Sequence, residues 1–125
     1  MRISTLALVG AVAMFATAAY ADDMLSSSYG NTVVTKNEKT GTVQKTMLNA
    51  DGTYTATGTD PSGASTSTAG TWAMKDAATM CMTPKAGTPG PSIICTPVAK
   101  HAVGDNWTVT TEQGEMLNVS IVAGR

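Results

Sequence analysis

The sequence predicts an all-β fold: a single small antiparallel meander or up-and-down β-barrel of about eight strands, preceded by one short helical turn. Three observations carry this. Residues 22–125 contain 19 threonines, and a β-branched side chain suits a pleated, half-exposed surface better than a helix. Turn-forming clusters such as Asn49-Ala50-Asp51-Gly52 and Asp60-Pro61-Ser62-Gly63 recur at short intervals, the spacing of short strands joined by hairpins. Between them, apolar and polar residues alternate with period two.

The elements follow in order. Residues 22–28 open with two aspartates, which suit the start of a helical turn. The first strand is predicted over 31–36, and the polar stretch 37–41 turns the chain into a second strand over 42–48. Gly52 closes a strong turn before a third strand over 53–59, and Gly63 closes another before a fourth over 66–75. In that fourth strand Trp72 and Met74 fall on one face, with Thr71, Ala73 and Lys75 on the other. A fifth strand is predicted over 79–83. Residues 84–91, with three prolines and two glycines, form an irregular loop. The sixth strand, 92–98, is expected to bury the Ile93-Ile94 pair. The seventh, 106–111, sets Trp107 and Val109 against Thr108 and Thr110, and the eighth, 116–122, sets Leu117, Val119 and Ile121 on one face. Gly52-Thr53-Tyr54, Gly70-Thr71-Trp72 and Gly104-Asp105-Asn106-Trp107 each place an aromatic shortly after a glycine that is expected to open a strand.

The first 21 residues read as a cleaved signal peptide. Arg2 gives one positive charge, Leu6 to Ala19 is apolar or small, and Ala19-Tyr20-Ala21 presents small residues to a signal peptidase just before Asp22-Asp23. A membrane anchor is the weaker reading, because the uncharged run is rich in alanine, glycine and threonine, whereas a spanning helix wants about 20 strongly apolar residues. The expected domain organisation is therefore a cleaved signal, 1–21, and one domain, 22–125. Localisation is expected to be periplasmic or extracellular.

A domain of this size has a thin core, and here the aromatic inventory beyond the signal is only Tyr29, Tyr54, Trp72 and Trp107. A covalent staple is available. Cys81 and Cys95 are the only cysteines, and an oxidising compartment favours their pairing across the proline loop. Without Arg2 the chain carries seven basic and nine acidic residues with no long charge run. That balance argues against nucleic acid, which requires a basic patch, and against anionic membrane surfaces once the signal is removed.

The order Gly30-Asn31-Thr32, Asp51-Gly52-Thr53-Tyr54, Gly70-Thr71-Trp72, Cys81, Cys95 and Gly104-Asp105-Asn106-Trp107 resembles small exported proteins of unknown function from Gram-negative, chiefly alphaproteobacterial, bacteria. In those a Gly-Thr-Trp strand precedes a cysteine pair and a final aromatic strand. The resemblance implies a periplasmic β domain and brings no catalytic residues. The general plan also resembles small disulfide-bearing β-barrel inhibitors of proteases and lysozymes.

Candidate chemistry is sparse. His101 is the only histidine, and no Gly-x-Ser-x-Gly elbow presents a serine to it. Asp51, Asp60, Asp76, Asp105, Glu112 and Glu115 fall in predicted turns, so turn formation accounts for them without a catalytic carboxylate pair. No catalytic residue and no cofactor is expected, and the chain is read as a non-enzyme. Met80 and Met82 share one strand face, and with His101 they form a soft-ligand set for Cu(I); the plainer reading is that methionine fills gaps in a core short of aromatics. The leading functional expectation is a binding domain for a partner protein or a small ligand, with Trp72, Trp107 and Tyr54 as candidate contacts. The alternative is a hydrolase inhibitor presenting either the loop at 84–91 or a free segment at 22–31.

Overall fold

The computed structural model describes residues 24–125; the predicted signal, 1–21, lies outside them. A 3-10 turn, Ser26–Ser28, stands where the helical turn is predicted. Eight strands follow: β1 Thr32–Asn37, β2 Val43–Leu48, β3 Thr53–Thr59, β4 Ser65–Asp76, β5 Thr79–Pro84, β6 Ile94–Pro97, β7 Asn106–Thr110 and β8 Met116–Val122. All are antiparallel to their neighbours, in the order β6-β5-β4-β3-β2-β1-β8-β7. The meander thus curls until β8 pairs with β1, and the sheet is a nearly closed barrel with its seam between β6 and β7. At the seam the strands pair by no ladder. One long bond, from the Glu112 amide to the Cys95 carbonyl at 3.4 Å, bridges it. Pro97, in the seam strand, has no amide hydrogen to donate, and proline is confined to such edges.

The turns hold as their residues dictate. The Asp51 carboxylate accepts from the Thr53 hydroxyl and amide, that of Asp60 from the Ser62 hydroxyl and the Ser62 and Ala64 amides, and that of Asp76 from the Ala78 amide. These bonds stabilise the charged form, so all three carboxyls sit below their ordinary pKa. For Asp51 and Asp60 the neighbouring hydroxyl is the largest cause; for Asp76 it is the Ala78 amide. Gly52 adopts φ +91° to close its turn, a conformation that costs glycine nothing.

Two local expectations are corrected. Gly70 lies inside β4, not at its start. It is there because the backbone of β5 passes too close to admit a side chain: a Cβ would overlap the Thr83 carbonyl oxygen and lie 2.9 Å from Pro84 Cα. The Ile93-Ile94 pair is not buried as a unit. Ile93 is 49% exposed and precedes β6, while Ile94 faces inward; adjacent residues of an extended chain point to opposite sides.

The outward face of β3 carries Thr53, Thr55 and Thr57, and that of β4 carries Ser65, Ser67 and Thr71, all exposed or half-buried. The buried inward positions of these two strands are apolar: Tyr54, Ala56, Trp72 and Met74. This polarity is the reverse of a membrane-spanning barrel, whose outer belt is apolar. Among the described residues no helix is long and apolar enough to cross a membrane. Cys81 and Cys95 face each other across β5 and β6 and form a disulfide, with Cα atoms 4.0 Å apart, tying the loop at 85–93 at its base.

Candidate functional site

The packed core occupies one end of the barrel. Leu25, Leu48, Tyr54, Ala56, Trp72, Met74 and Met80 form one buried cluster, with Met24, Tyr29, Met82 and Val98 against it. Trp72 is its centre. The indole Nε1 donates to the carbonyls of Asn49 (3.0 Å) and Thr53 (3.1 Å), and the Tyr29 ring lies 6.1 Å from it, tilted by 30°. Leu25, 5% exposed, seats the segment before β1 into the same end. The described part of the predicted free segment at 22–31 is therefore a plug. A leucine side chain and a tyrosine ring gain more from burial than a chain end gains from freedom. Arg125 braces this end from outside, its guanidinium on Asn49 Oδ1 (2.8 Å) and the Leu48 carbonyl.

Beyond the plug the barrel is hollow. A cavity of about 540 Å³ runs up the interior, a volume suited to one small organic molecule. Its walls come from inward positions on nearly every strand: Val33 and Thr35 on β1, Thr46 on β2, Thr68 on β4, Met82 on β5, Ile94 and Thr96 on β6, Trp107 and Val109 on β7, Leu117 and Val119 on β8. Val33, Thr35, Met82, Ile94, Trp107, Val109 and Leu117 point inward yet are only half-buried. A packed barrel would bury them; half-burial of inward side chains is the mark of an open lumen. Asn37, Thr40, Thr42, Thr88, Pro89 and Glu115 ring the far end, where Asn37 Nδ2 donates to Glu115 Oε2 at 2.9 Å.

The sequence-predicted contact residues divide. Tyr54 and Trp107 line the cavity, whereas Trp72 packs in the plug. Burial pushes the Tyr54 hydroxyl pKa up. Trp107 is covered by His101, whose ring stacks on the indole with centroids 3.5 Å apart and planes 8° from parallel. His101 Nδ1 lies 3.5 Å from Asp105 Oδ2, and Asp105 also accepts from the Ala102 amide at 2.9 Å. Met80, Met82 and His101 all face the same cavity, with Met80 packed in the plug cluster beside Leu25 and Trp72.

Sequence reasoning passed over Thr96. It lines the cavity, its Oγ1 is fully buried, and that oxygen has no hydrogen-bond partner among the described residues. The available signal was its place on the predicted strand 92–98, two residues from Ile94 and so on the same inward face.

The arrangement is that of a small antiparallel β-barrel with a plugged floor, an open mouth and an apolar lumen. Compared with known proteins, the chain matches no protein-family model, no curated protein and no solved structure.

Proposed function

We propose that this chain is an exported, non-enzymatic binding protein whose barrel takes one small apolar ligand. The observation that carries the reading is the cavity of about 540 Å³ inside a disulfide-stapled sheet, lined by Val, Ile, Leu, Met and Trp side chains interspersed with threonines. Transfer of an apolar molecule from water into such a lumen gains about 25 cal/mol per Å² of its surface, and a preformed site spares the cost of ordering it. The groups along the walls suit holding a molecule: hydroxyls and thioethers face the lumen, and the imidazole of His101, also on the wall, lies beside Asp105. Export rests on the N-terminal sequence and fits the disulfide, since such bonds persist in the periplasm and outside the cell.

Titration calorimetry with biphenyl-sized apolar compounds tests the reading. Saturable one-to-one binding is expected, together with quenching or a shift of Trp107 emission. Thr35→Trp, which projects an indole into the lumen from β1, should weaken binding at least tenfold while the melting temperature stays near that of the native chain. No saturable binding of any apolar compound would overturn the proposal. For export, expression with the intact N-terminus should yield a periplasmic protein whose first residue is Asp22, read by intact mass; retention of residues 1–21 would refute cleavage.

A second reading, hydrolase inhibition, draws on the loop at 85–93. Its base is fixed by the disulfide and by the Lys85 amide on the Ala69 carbonyl at 2.8 Å, and its tip is exposed. Protease and lysozyme activities measured with excess protein test it, and unchanged activity across a panel would dismiss it.

A further inference from the structure

Thr96 presents a buried oxygen that the protein leaves unanswered. Its Oγ1 has no partner among the described residues, although a buried hydroxyl almost always finds one, because an unmade bond in an apolar setting costs free energy. The position is informative. Thr96 stands opposite Met80 in the β5–β6 pairing, and Met80 belongs to the plug cluster, so Thr96 lies at the deep end of the lumen. It also sits at the seam, in β6, one of the two strands whose outer edges pair with no neighbour. His101 and Trp107, across that seam, line the same space. A threonine needs only a change of χ1 to exchange its methyl and hydroxyl positions, a motion between staggered wells, which turns the hydroxyl toward a cavity occupant.

We propose that the cavity selects an apolar molecule bearing one neutral oxygen, a hydroxyl or a carbonyl, and that the Thr96 hydroxyl is the group that reads this oxygen. The proposal rests on the cavity reading and narrows it to a ligand class. Elsewhere on the walls threonine hydroxyls alternate with Val, Ile, Leu, Met and Trp side chains, but Thr96 alone offers a buried side-chain oxygen with no partner among the described residues. The body of the ligand is therefore largely apolar, and its polar group enters first, toward the plug. A lumen that answers one oxygen discriminates more sharply than an apolar one, because the ligand lacking the oxygen leaves the protein's own group unpaired.

The test uses the full processed chain and two compounds of nearly equal shape, 4-hydroxybiphenyl and 4-methylbiphenyl, titrated into the native protein, Thr96→Val and Thr96→Ser. Thr96→Val matches threonine in shape and removes the oxygen. It is expected to weaken 4-hydroxybiphenyl about tenfold relative to 4-methylbiphenyl, the size of one hydrogen bond. Thr96→Ser, which keeps a hydroxyl, should preserve the native ratio. The melting temperature of Thr96→Val should equal or exceed the native one, since an unanswered polar group is gone; should that variant not fold, Thr96→Ala is read for the same ratio. An affinity ratio unmoved by loss of the hydroxyl overturns the role of Thr96 while leaving the cavity reading intact. Failure of both compounds to bind the native chain overturns both.

Discussion

Replacing Gly70 by alanine adds one methyl group where the backbone of β5 leaves no room for it beside β4. Gly70 pairs with Tyr54 on one side and Pro84 on the other. The new Cβ would overlap the Thr83 carbonyl oxygen and press on Pro84 Cα at 2.9 Å. Both obstacles are backbone, so no side chain can swing away, and β5 must move off β4 by about 1 Å. Overpacking of this kind costs about 1–3 kcal/mol. The Lys85 amide bond to the Ala69 carbonyl, 2.8 Å and next to the crossing, would stretch with it and lose about 1 kcal/mol more. A loss of about 3 kcal/mol lowers the melting temperature of a domain this size by roughly 12–24 °C. Gly58→Ala is the matched control. Gly58 also lies inside a strand, its φ is not left-handed, and a Cβ would meet only Thr66 Oγ1 at 3.8 Å. Alanine loses less chain entropy than glycine inside a strand, by about 0.5–1 kcal/mol, so this variant should melt at or slightly above the native temperature. Thermal unfolding followed by circular dichroism reads both. If Gly70→Ala melts within a few degrees of Gly58→Ala, the close approach of β4 and β5 is not what places glycine there.

Further perturbations follow from the same structure. Reducing the Cys81–Cys95 bond, or replacing both cysteines by serine, opens a 15-residue loop (sequence separation 14) and should cost about 3 kcal/mol on the chain-entropy model, read as a lower denaturation midpoint in urea; unaltered stability would mean the loop is held by its other contacts. Leu25→Ala removes a plug side chain that is 5% exposed and should cost about 2–3 kcal/mol, whereas a segment lying free would show no change in the same melt. Acid should destabilise the domain: Asp51, Asp60 and Asp76 have folded pKa values below their unfolded ones, so the stability they contribute is present above the unfolded value of about 4 and is lost as pH falls below it. Denaturation midpoints between pH 6 and pH 2 measure this, and Asp60→Asn should flatten the dependence; a profile that rises toward pH 2 would contradict the assignment. At the alkaline end Tyr54, with its pKa raised by burial, should remain protonated past pH 10 in the folded chain, and stability should decline as the unfolded tyrosine ionises above that point; ultraviolet titration of tyrosinate reads it.

The strands themselves were legible in the chain, for a local reason. Period-two alternation states which side chains share a face, and the glycine and aspartate clusters state where the chain reverses, so β3 and β8 stand at the predicted residues and the other strands within a few. The cysteine pairing was legible too, since two cysteines around a proline loop leave one partner each. The aromatic positions show where such reading ends. Trp72 and Trp107 occupy equivalent places in their alternating patterns, yet one fills the plug and the other lines the lumen. Alternation gives the direction of a side chain and says nothing of its height along the barrel.

What the amino-acid order determined by itself was an antiparallel, threonine-rich meander with an apolar side, a polar side and one sulfur bridge. Whether the apolar side meets itself or encloses space was left to the tertiary structure. That outcome depends on how many strands close the curl, on a proline-containing edge that stays unpaired at Pro97, and on Leu25 folding back to fill one end only. The width of a barrel is set by strand number and tilt, quantities that belong to all eight strands together, so the cavity and the solitary oxygen of Thr96 within it emerge only when the sheet has rolled up.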